Sequence, residues 1–205
     1  MDGKGYSISE GRALVKAARN AMELSLVSPG FDGAAVEGLL GEYSEKAGVF
    51  VTIAHHPTDT VRGCTGSAWP RDRLGRALVQ SAIAASEGGG KFIPMAHGEL
   101  QDVTVEVSII RNVERIRRKT PLGRKNAIRI GKDGVFVEYG FNSAAVMPTA
   151  ASKANKDVGS LLSGLCEQAG LHESAWERPD ISLYKFTAQV FKETEPEGEV
   201  AEVRL

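Results

Sequence analysis

The segment from Asp102 to Ile110 constrains the fold of this 205-residue chain most strongly, because apolar and polar residues alternate along it without a break. Valine or isoleucine occupies every second position, and Thr104, Glu106 and Ser108 lie between them. An alternation of period two sends the two sets to opposite faces of a strand. The segment therefore predicts a half-buried β-strand.

Two hairpins are predicted elsewhere in the chain. Residues 49–53 are β-branched or aromatic, residues 56–60 are typical of a turn, and residues 61–67 form the returning strand. A second hairpin is predicted around Gly131–Gly134, and residues 182–191 predict a closing strand. Successive hairpins favour antiparallel pairing.

Helices are predicted between these strands. Ser7 and Glu10 have the spacing of a capping box and open a helix that ends near residues 28–30. Further helical spacing covers about 70–86 and 157–170. Because no regular βαβ alternation is present, the pattern predicts an α+β fold with mainly antiparallel or mixed sheets and packed helices.

Composition excludes several classes of protein. A formal net charge of −1 gives no overall attraction to nucleic acid or acidic membranes. The first residues lack the apolar region of a secretory signal, and no apolar run is long enough to span a membrane. Cys64 and Cys166 form neither a disulfide framework nor a zinc motif, which predicts a reduced cytoplasmic protein. The glutamate-rich segment 193–205 predicts a solvated acidic tail.

The most distinctive motif is residues 61–67, Val-Arg-Gly-Cys-Thr-Gly-Ser. Glycines weaken a strand unless another backbone passes closely or a bulge is needed. If residues 57–60 form the loop, Ile53 faces Cys64 and His55 faces Arg62, which makes His55 a diagonal neighbour of Cys64 at about 7–8 Å. A thiol near an imidazole and a guanidinium ionises more easily and acts as a nucleophile.

The same register also supports a structural role for Cys64. It would place Cys64 on one face with Val49, Val51 and Ile53, where a buried and inert cysteine belongs. The pattern favours this packing, which leaves Arg62 and the glycine backbone as the ligand-facing groups. Cys166 follows apolar residues of a predicted helix and is also expected in the core. A metal site from Cys64, His55 and His97 lacks metal-ligand spacing and is not predicted.

A basic run extends from Arg111 to Lys125, where seven arginine and lysine residues are opposed only by Glu114. Such a run could bind the phosphates of nucleic acid. Few aromatic residues are interleaved for base stacking. Pro121 and Gly123 predict a loop, and a solvated connection is the simpler interpretation.

Residues 61–66 resemble the LRGCIG hexapeptide of AMMECR-type domains, which are named for the human Alport syndrome, midface hypoplasia and elliptocytosis chromosomal region. Arg62, Gly63, Cys64 and Gly66 match this hexapeptide, and Val61 and Thr65 differ from it. Further segments similar to the family follow in order along most of the chain, at 48–52, 92–94, 105–108, 130–134, 165–171 and 186–191. The resemblance implies one domain over 1–205 with an α+β fold of two intimate lobes.

The resemblance implies no defined activity and names no cofactor. Prokaryotic members occur beside, or fused to, Memo-type and radical-SAM domains, which implies a component of a system that modifies nucleic acid or nucleotides. One hypothesis is an enzyme, or enzyme subunit, with Cys64 as nucleophile and with Arg62, Gly63, Thr65, Gly66 and His55 around the ligand. The other hypothesis is a non-catalytic adaptor that holds a ligand, nucleic acid or partner protein with the same motif.

Overall fold

The structure, a computed structural model, describes residues 5–28, 30–90, 92–153 and 157–205. The helices are α1 (Ile8–Val27), α2 (Ala34–Leu39), α3 (Leu74–Ser86), α4 (Pro121–Asn126), α5 (Pro148–Lys153) and α6 (Val158–Gln168). The strands are β1 (Val49–His55), β2 (Thr60–Ser67), β3 (Val103–Arg115), β4 (Gly134–Tyr139), β5 (Asn142–Val146), β6 (Ser182–Glu193) and β7 (Val200–Val203). Neighbouring strands pair antiparallel within each unit described below, which confirms the predicted α+β class.

The chain divides into two compact units. The N-terminal unit contains the described residues up to Ile110 together with Gln189–Arg204. The central unit contains the described residues of Arg111–Ala188. Strands β3 and β6 are each divided between the two units by these boundaries.

Helix α1 begins where the sequence predicted. The Ser7 side chain accepts a hydrogen bond from the backbone N–H of Glu10, and the Glu10 carboxylate accepts one from the backbone N–H of Ser7. This capping box satisfies two amides that have no partner inside the helix. The buried stripe of α1 includes Leu14 and Met22, and the helix packs against α3.

The sheet of the N-terminal unit has β1 between β2 and β3, with both pairs antiparallel. Val51 lies opposite Val107 and Ile53 lies opposite Val105, and all four side chains are fully buried. Helix α3 packs against β1 and β2 on the side of this apolar core. The alternation in β3 therefore confirms the predicted strand and its apolar face.

The predicted solvated tail agrees with the exposed side chains of Glu195, Glu197, Glu199 and Glu202, but it is wrong for Glu193 and for residues 200–203. Glu193 is 3% exposed and accepts two hydrogen bonds from the Arg19 guanidinium, at 2.7 and 2.6 Å. Glu193 also accepts a bond from the backbone N–H of Val105. Residues 200–203 pair with β6 as β7. The acidic composition concealed this strand, because its few apolar residues lie among glutamates.

The central unit has β4 between β5 and β6, and α6 packs against β4 and β5. The second hairpin differs from the prediction, because β4 begins at Gly134 and pairs with β5 through a turn at residues 139–142. Residues 129–133 form a separate turn in which the Asp133 carboxylate accepts the backbone N–H of Arg129. That carboxylate is committed to the turn, so the residues before Gly134 do not form a partner strand.

No helix among the described residues is long and apolar enough to cross a membrane.

Candidate active site

A β-bulge in β2 sets the geometry of the motif residues 62–66. Thr52 pairs with Cys64 and Ile53 pairs with Gly63, but Ala54 pairs with Val61, so Arg62 is one extra residue on β2. A bulge of one residue moves the following side chains to the other face of the sheet. The predicted register, with Ile53 opposite Cys64, is therefore wrong by one position.

Arg62 contacts groups of its own chain. Its guanidinium is paired with both carboxylate oxygens of Glu99, at 2.7 and 3.1 Å. It also donates to the carbonyl oxygens of Ile93 and Pro94, at 2.9 and 3.3 Å. With the residue 8% exposed, these bonds fix the segment 93–99 to the edge of β2. The guanidinium is thus used for this internal attachment, and the predicted contact with an anionic ligand would require it to leave these partners.

The glycines of the motif allow other backbone to approach closely. A Cβ atom added at Gly63 would lie 2.5 Å from the carbonyl oxygen of Ala85, near the end of α3. A Cβ at Gly66 would lie 2.2 Å from the carbonyl oxygen of Val49. Such separations are too short for any side chain. Gly63 and Gly66 therefore have structural roles, and the predicted contact between their backbone and a ligand stays a prediction.

Thr65 lies between these glycines and points away from the Cys64 side of the strand. A Cβ added at Gly89 would come within 2.5 Å of the Thr65 hydroxyl, and Gly89 has a positive φ of 54°. The Thr65 hydroxyl oxygen is buried and has no hydrogen-bond partner among the described residues. Thr65 thus packs against the turn after α3, and its predicted ligand contact stays a prediction.

Cys64 lies in a row of side chains that crosses three strands. Thr52 of β1 is directly paired with Cys64 of β2 and with Glu106 of β3, so the three side chains share one face of the sheet. The Thr52 hydroxyl donates a hydrogen bond to the Cys64 sulfur at 3.4 Å. Cys64 is partly exposed and is a free thiol. Cys64 therefore lies on the face opposite to Val49, Val51 and Ile53, and it does not pack with them as the sequence predicted.

Glu106 is the unexpected member of the row, since its side chain is buried with the residue only 7% exposed. The Ser108 hydroxyl, two residues further along β3, donates to the Glu106 carboxylate at 3.4 Å. Thr104 and Ser108 on the same face are also buried, at 2% and 0% exposure. The prediction of a half-buried strand is corrected here, because the polar face of β3 is buried as well as the apolar one.

His55 lies away from Cys64. It pairs with Thr60 at the end of the hairpin, three residues beyond Thr52, and its predicted diagonal contact with Cys64 is lost with the corrected register. His55 is instead close to Glu99. The pKa of the Glu99 carboxyl is lowered chiefly by the hydrogen bond from Arg62, then by the backbone N–H of Ala96, with a smaller electrostatic contribution from His55.

The structure confirms the prediction that Cys166 lies in the core. It is fully buried in α6, and burial raises the pKa of its thiol. Both cysteines are free. Among the described residues, no three histidine, cysteine, aspartate or glutamate side chains are grouped to hold a metal ion.

The basic run from Arg111 to Lys125 is mostly regular structure and only partly a loop. Its first residues belong to β3 and its last residues belong to α4. Arg124 is 3% exposed and donates to the carbonyl oxygens of Arg118, Trp176 and Ile181, which gives it a structural role. Exposed basic side chains remain at residues 117–119.

Sequence reasoning missed Thr52, Glu106 and Ser108 as site residues. A signal was present, because a glutamate stands in the middle of an otherwise apolar and hydroxyl-bearing strand. Its importance depends on burial, which the alternation alone does not reveal. The pairing of Thr52 with Cys64 depends on the bulge.

Comparisons with known proteins agree on the family and the fold. A family model described as AMMECR1 matches residues 15–191. Protein MK0488 of Methanopyrus kandleri is 36% identical over 98% of this chain and 96% of its own length. Protein MJ0810 of Methanocaldococcus jannaschii is 34% identical, with coverage of 97% and 98%. The crystal structure of the uncharacterized protein PH0010 from Pyrococcus horikoshii superposes with a TM-score of 0.83 at 32% identity, covering 96% of this chain and 98% of that one.

Proposed function

The chain belongs to the AMMECR1 family, and we propose that it is an enzyme, or the enzymatic component of a larger system, that transfers a group through the Cys64 thiol. One observation supports this proposal above the others. A partly exposed thiol, a hydroxyl that donates to it and a buried carboxylate lie in one row across β2, β1 and β3. These are the parts of a nucleophile and its proton acceptor.

The Thr52 hydroxyl supports the nucleophile. A hydrogen bond donated to sulfur stabilises the charged form of a thiol over its neutral form. Charge that develops on Cys64 Sγ as the thiol loses its proton is therefore met by a donor that is already oriented. Because Thr52 is in the middle strand of the sheet, its position is fixed by pairing on both sides.

Glu106 is the candidate proton acceptor. It lies two strand spacings from Cys64, about 9–10 Å between the backbones, with Thr52 between them. A small group of a substrate, or one water molecule, would therefore have to bridge the two side chains over Thr52. Burial of a carboxylate has a desolvation cost, and the position of Glu106 in the same row as the thiol supports an acid–base role.

The proposed step is acyl transfer. Cys64 Sγ attacks an electrophilic carbonyl carbon, a C–S bond forms, and the thiol proton passes to Glu106 through a bridging water molecule. The bond to the leaving group breaks, and the leaving group departs with that proton. Water then cleaves the thioester, which releases the acid and restores the thiol. The buried position of Glu106 restricts the reacting part of the substrate to a small group.

A small activated ester provides the first test. We expect the native chain to release nitrophenol from p-nitrophenyl acetate with turnover, and mass spectrometry to find the acetyl group on Cys64. Cys64→Ser should abolish turnover, and Glu106→Gln should lower it by about a hundredfold, the usual contribution of a general base. Cys166→Ser is the matched control and should retain turnover if its fold is intact by circular dichroism. Slow labelling without turnover, equal in wild type and Glu106→Gln, would contradict the enzyme.

A second candidate function is an adaptor that binds nucleic acid. It is favoured by the exposed basic side chains at residues 117–119 on the connection between β3 and α4. We expect single-stranded RNA or DNA to bind with an affinity that falls steeply as salt rises, because bound phosphates release counterions. Replacement of Arg117, Arg118 and Lys119 by glutamine should reduce that slope, whereas Arg71→Gln should not. Equal and negligible retention at low and high salt would exclude this function.

The wider setting is also a proposal. A substrate on a nucleic acid or nucleotide, and partners of the Memo or radical-SAM type, are supported only by the family resemblance. Two free thiols suit a reducing compartment, and we propose a cytoplasmic location.

A further inference from the structure

A second site is present in the N-terminal unit, and we infer that it binds a small oxyanion, a phosphate or a carboxylate group. A cleft of about 410 Å³ lies between α2, the residues that follow it and the start of α3. Arg73 and Arg76 line it, together with Glu37 and Ser44. The cleft is independent of the proposed thiol chemistry.

The two arginines are the groups that point to an anion. Both are exposed, and neither guanidinium has an ion-pair or hydrogen-bond partner among the described residues. This differs from Arg19, Arg62 and Arg124, whose guanidinium groups are all used inside the chain. Two free guanidinium groups offer donors in the planar geometry that oxyanions accept.

The backbone at the start of α3 does not supply these donors. The N–H groups of Leu74 and Gly75 already donate to the carbonyl oxygens of Glu45 and Tyr43. An anion in the cleft is therefore bound by the arginine side chains. The Ser44 hydroxyl adds a further donor, and the Glu37 carboxylate is an acceptor for a hydroxyl or N–H of the same ligand.

Glycines keep the cleft open. A Cβ atom added at Gly38 would meet nothing within 4 Å, and one at Gly41 would meet only the Gly38 carbonyl oxygen, at 3.7 Å. Both glycines line the cleft. Gly38 lies within α2, where glycine is less favourable than other residues, so the open space there has a cost in helix stability.

The cleft is separate from the Cys64 row. Gly63 of the motif contacts Ala85 near the end of α3, whereas the cleft uses Arg73, Gly75 and Arg76 at its beginning. Ala85 lies twelve positions after Arg73, a distance of about 18 Å along the helix axis. A ligand in this cleft does not reach the thiol, which makes it an effector or a second recognition point.

The test is an amide NMR titration of the full chain with sodium phosphate and, separately, with sodium acetate, at ionic strength matched by sodium chloride. We expect saturable shifts at the amides of Gly38, Gly41 and Gly75. Saturation by phosphate alone assigns a phosphoryl group, by acetate alone a carboxylate, and by both an oxyanion of either kind.

Two variants and a control make the result specific. Arg73→Gln combined with Arg76→Gln should raise the apparent dissociation constant about tenfold or more, because two charge-assisted bonds are lost. Gly38→Leu should do the same by filling the cleft, and leucine suits a helix better than glycine. Arg71→Gln, an exposed arginine outside the lining, should change it by less than about twofold. Shifts that grow linearly with salt, or that persist in the double variant, would overturn the site without affecting the Cys64 proposal.

Discussion

The two faces of the β1–β3 sheet are both buried, but they differ in chemistry. One face presents Val51, Ile53 and Val105, each fully buried among apolar side chains of α1 and α3. The other face presents Thr104, Glu106 and Ser108, which are also buried. Burial of the first set stabilises the fold, whereas burial of the second set has a desolvation cost. We conclude that the apolar face holds the unit together, and the proposed function assigns the chemistry to the polar face.

The largest predicted difference between the faces is in packing. Ile53→Ala should lower the free energy of unfolding by about 2–5 kcal/mol, because it leaves a cavity in a fully buried site. The neighbouring change Thr52→Val, on the other face, should alter it by less than about 1 kcal/mol, since a sulfur is a weak acceptor. Urea denaturation measures both values. Equal costs would mean that the two faces are one core.

The same substitution at the two cysteines should give a smaller difference in the free energy of unfolding. Cys166→Ser should cost about 1–3 kcal/mol, because a hydroxyl replaces a fully buried thiol among apolar residues. Cys64→Ser should cost less, since Cys64 is partly exposed and has the Thr52 hydroxyl as a partner. Thermal and urea unfolding of both variants would check this order. A larger loss of stability for Cys64→Ser than for Cys166→Ser would indicate that Cys64 is part of the core.

The edge of the sheet provides a prediction about pH. Arg62 holds the pKa of Glu99 below its ordinary value of about 4.5, so the pair contributes stability that is complete above that value and is lost as pH falls through the lower one. Glu99→Gln should therefore lower the free energy of unfolding by about 1 kcal/mol at pH 7, and the difference from wild type should shrink below pH ~4.5.

The control for this pH dependence is Glu173→Gln, because Glu173 is exposed and has no ion-pair partner among the described residues. It should leave the unfolding free energy unchanged at every pH. A Glu99→Gln deficit that stays constant from pH 7 to pH 3 would show that the carboxylate charge is not what attaches segment 93–99.

A small change in stability is also expected at Glu106. Glu106→Gln keeps the shape of the side chain and an oxygen that accepts the Ser108 hydroxyl, so the free energy of unfolding should move by less than about 1 kcal/mol in either direction. The same variant should lose most of its esterase turnover. A loss of several kcal/mol with turnover intact would make Glu106 a structural residue.

The regular elements could be predicted from the sequence, since they depend on local pattern. The capping box of Ser7 and Glu10 and the alternation of β3 identify their elements from a few adjacent residues. The glycines at 63 and 66 correctly indicated a bulge or a close approach, without indicating to what.

The face occupied by Cys64 could not be predicted in the same way. It depends on one extra residue, Arg62, whose guanidinium is paired with a glutamate 37 positions later in the chain. The pattern within a hairpin contains no information about such a partner. The burial of Glu106 is also a tertiary property, because alternating polar residues on a strand normally face water.

The most direct test of Cys64 as an accessible nucleophile is the alkylation rate of the two cysteines in the native protein, measured by mass spectrometry from pH 6 to 9. We expect Cys64 to be labelled in the folded chain and Cys166 to be labelled only after denaturation. Thr52→Val should slow the labelling of Cys64 several-fold, because the hydrogen bond to its sulfur is lost. Labelling of Cys64 only after denaturation, or at a rate that Thr52→Val leaves unchanged, would contradict it.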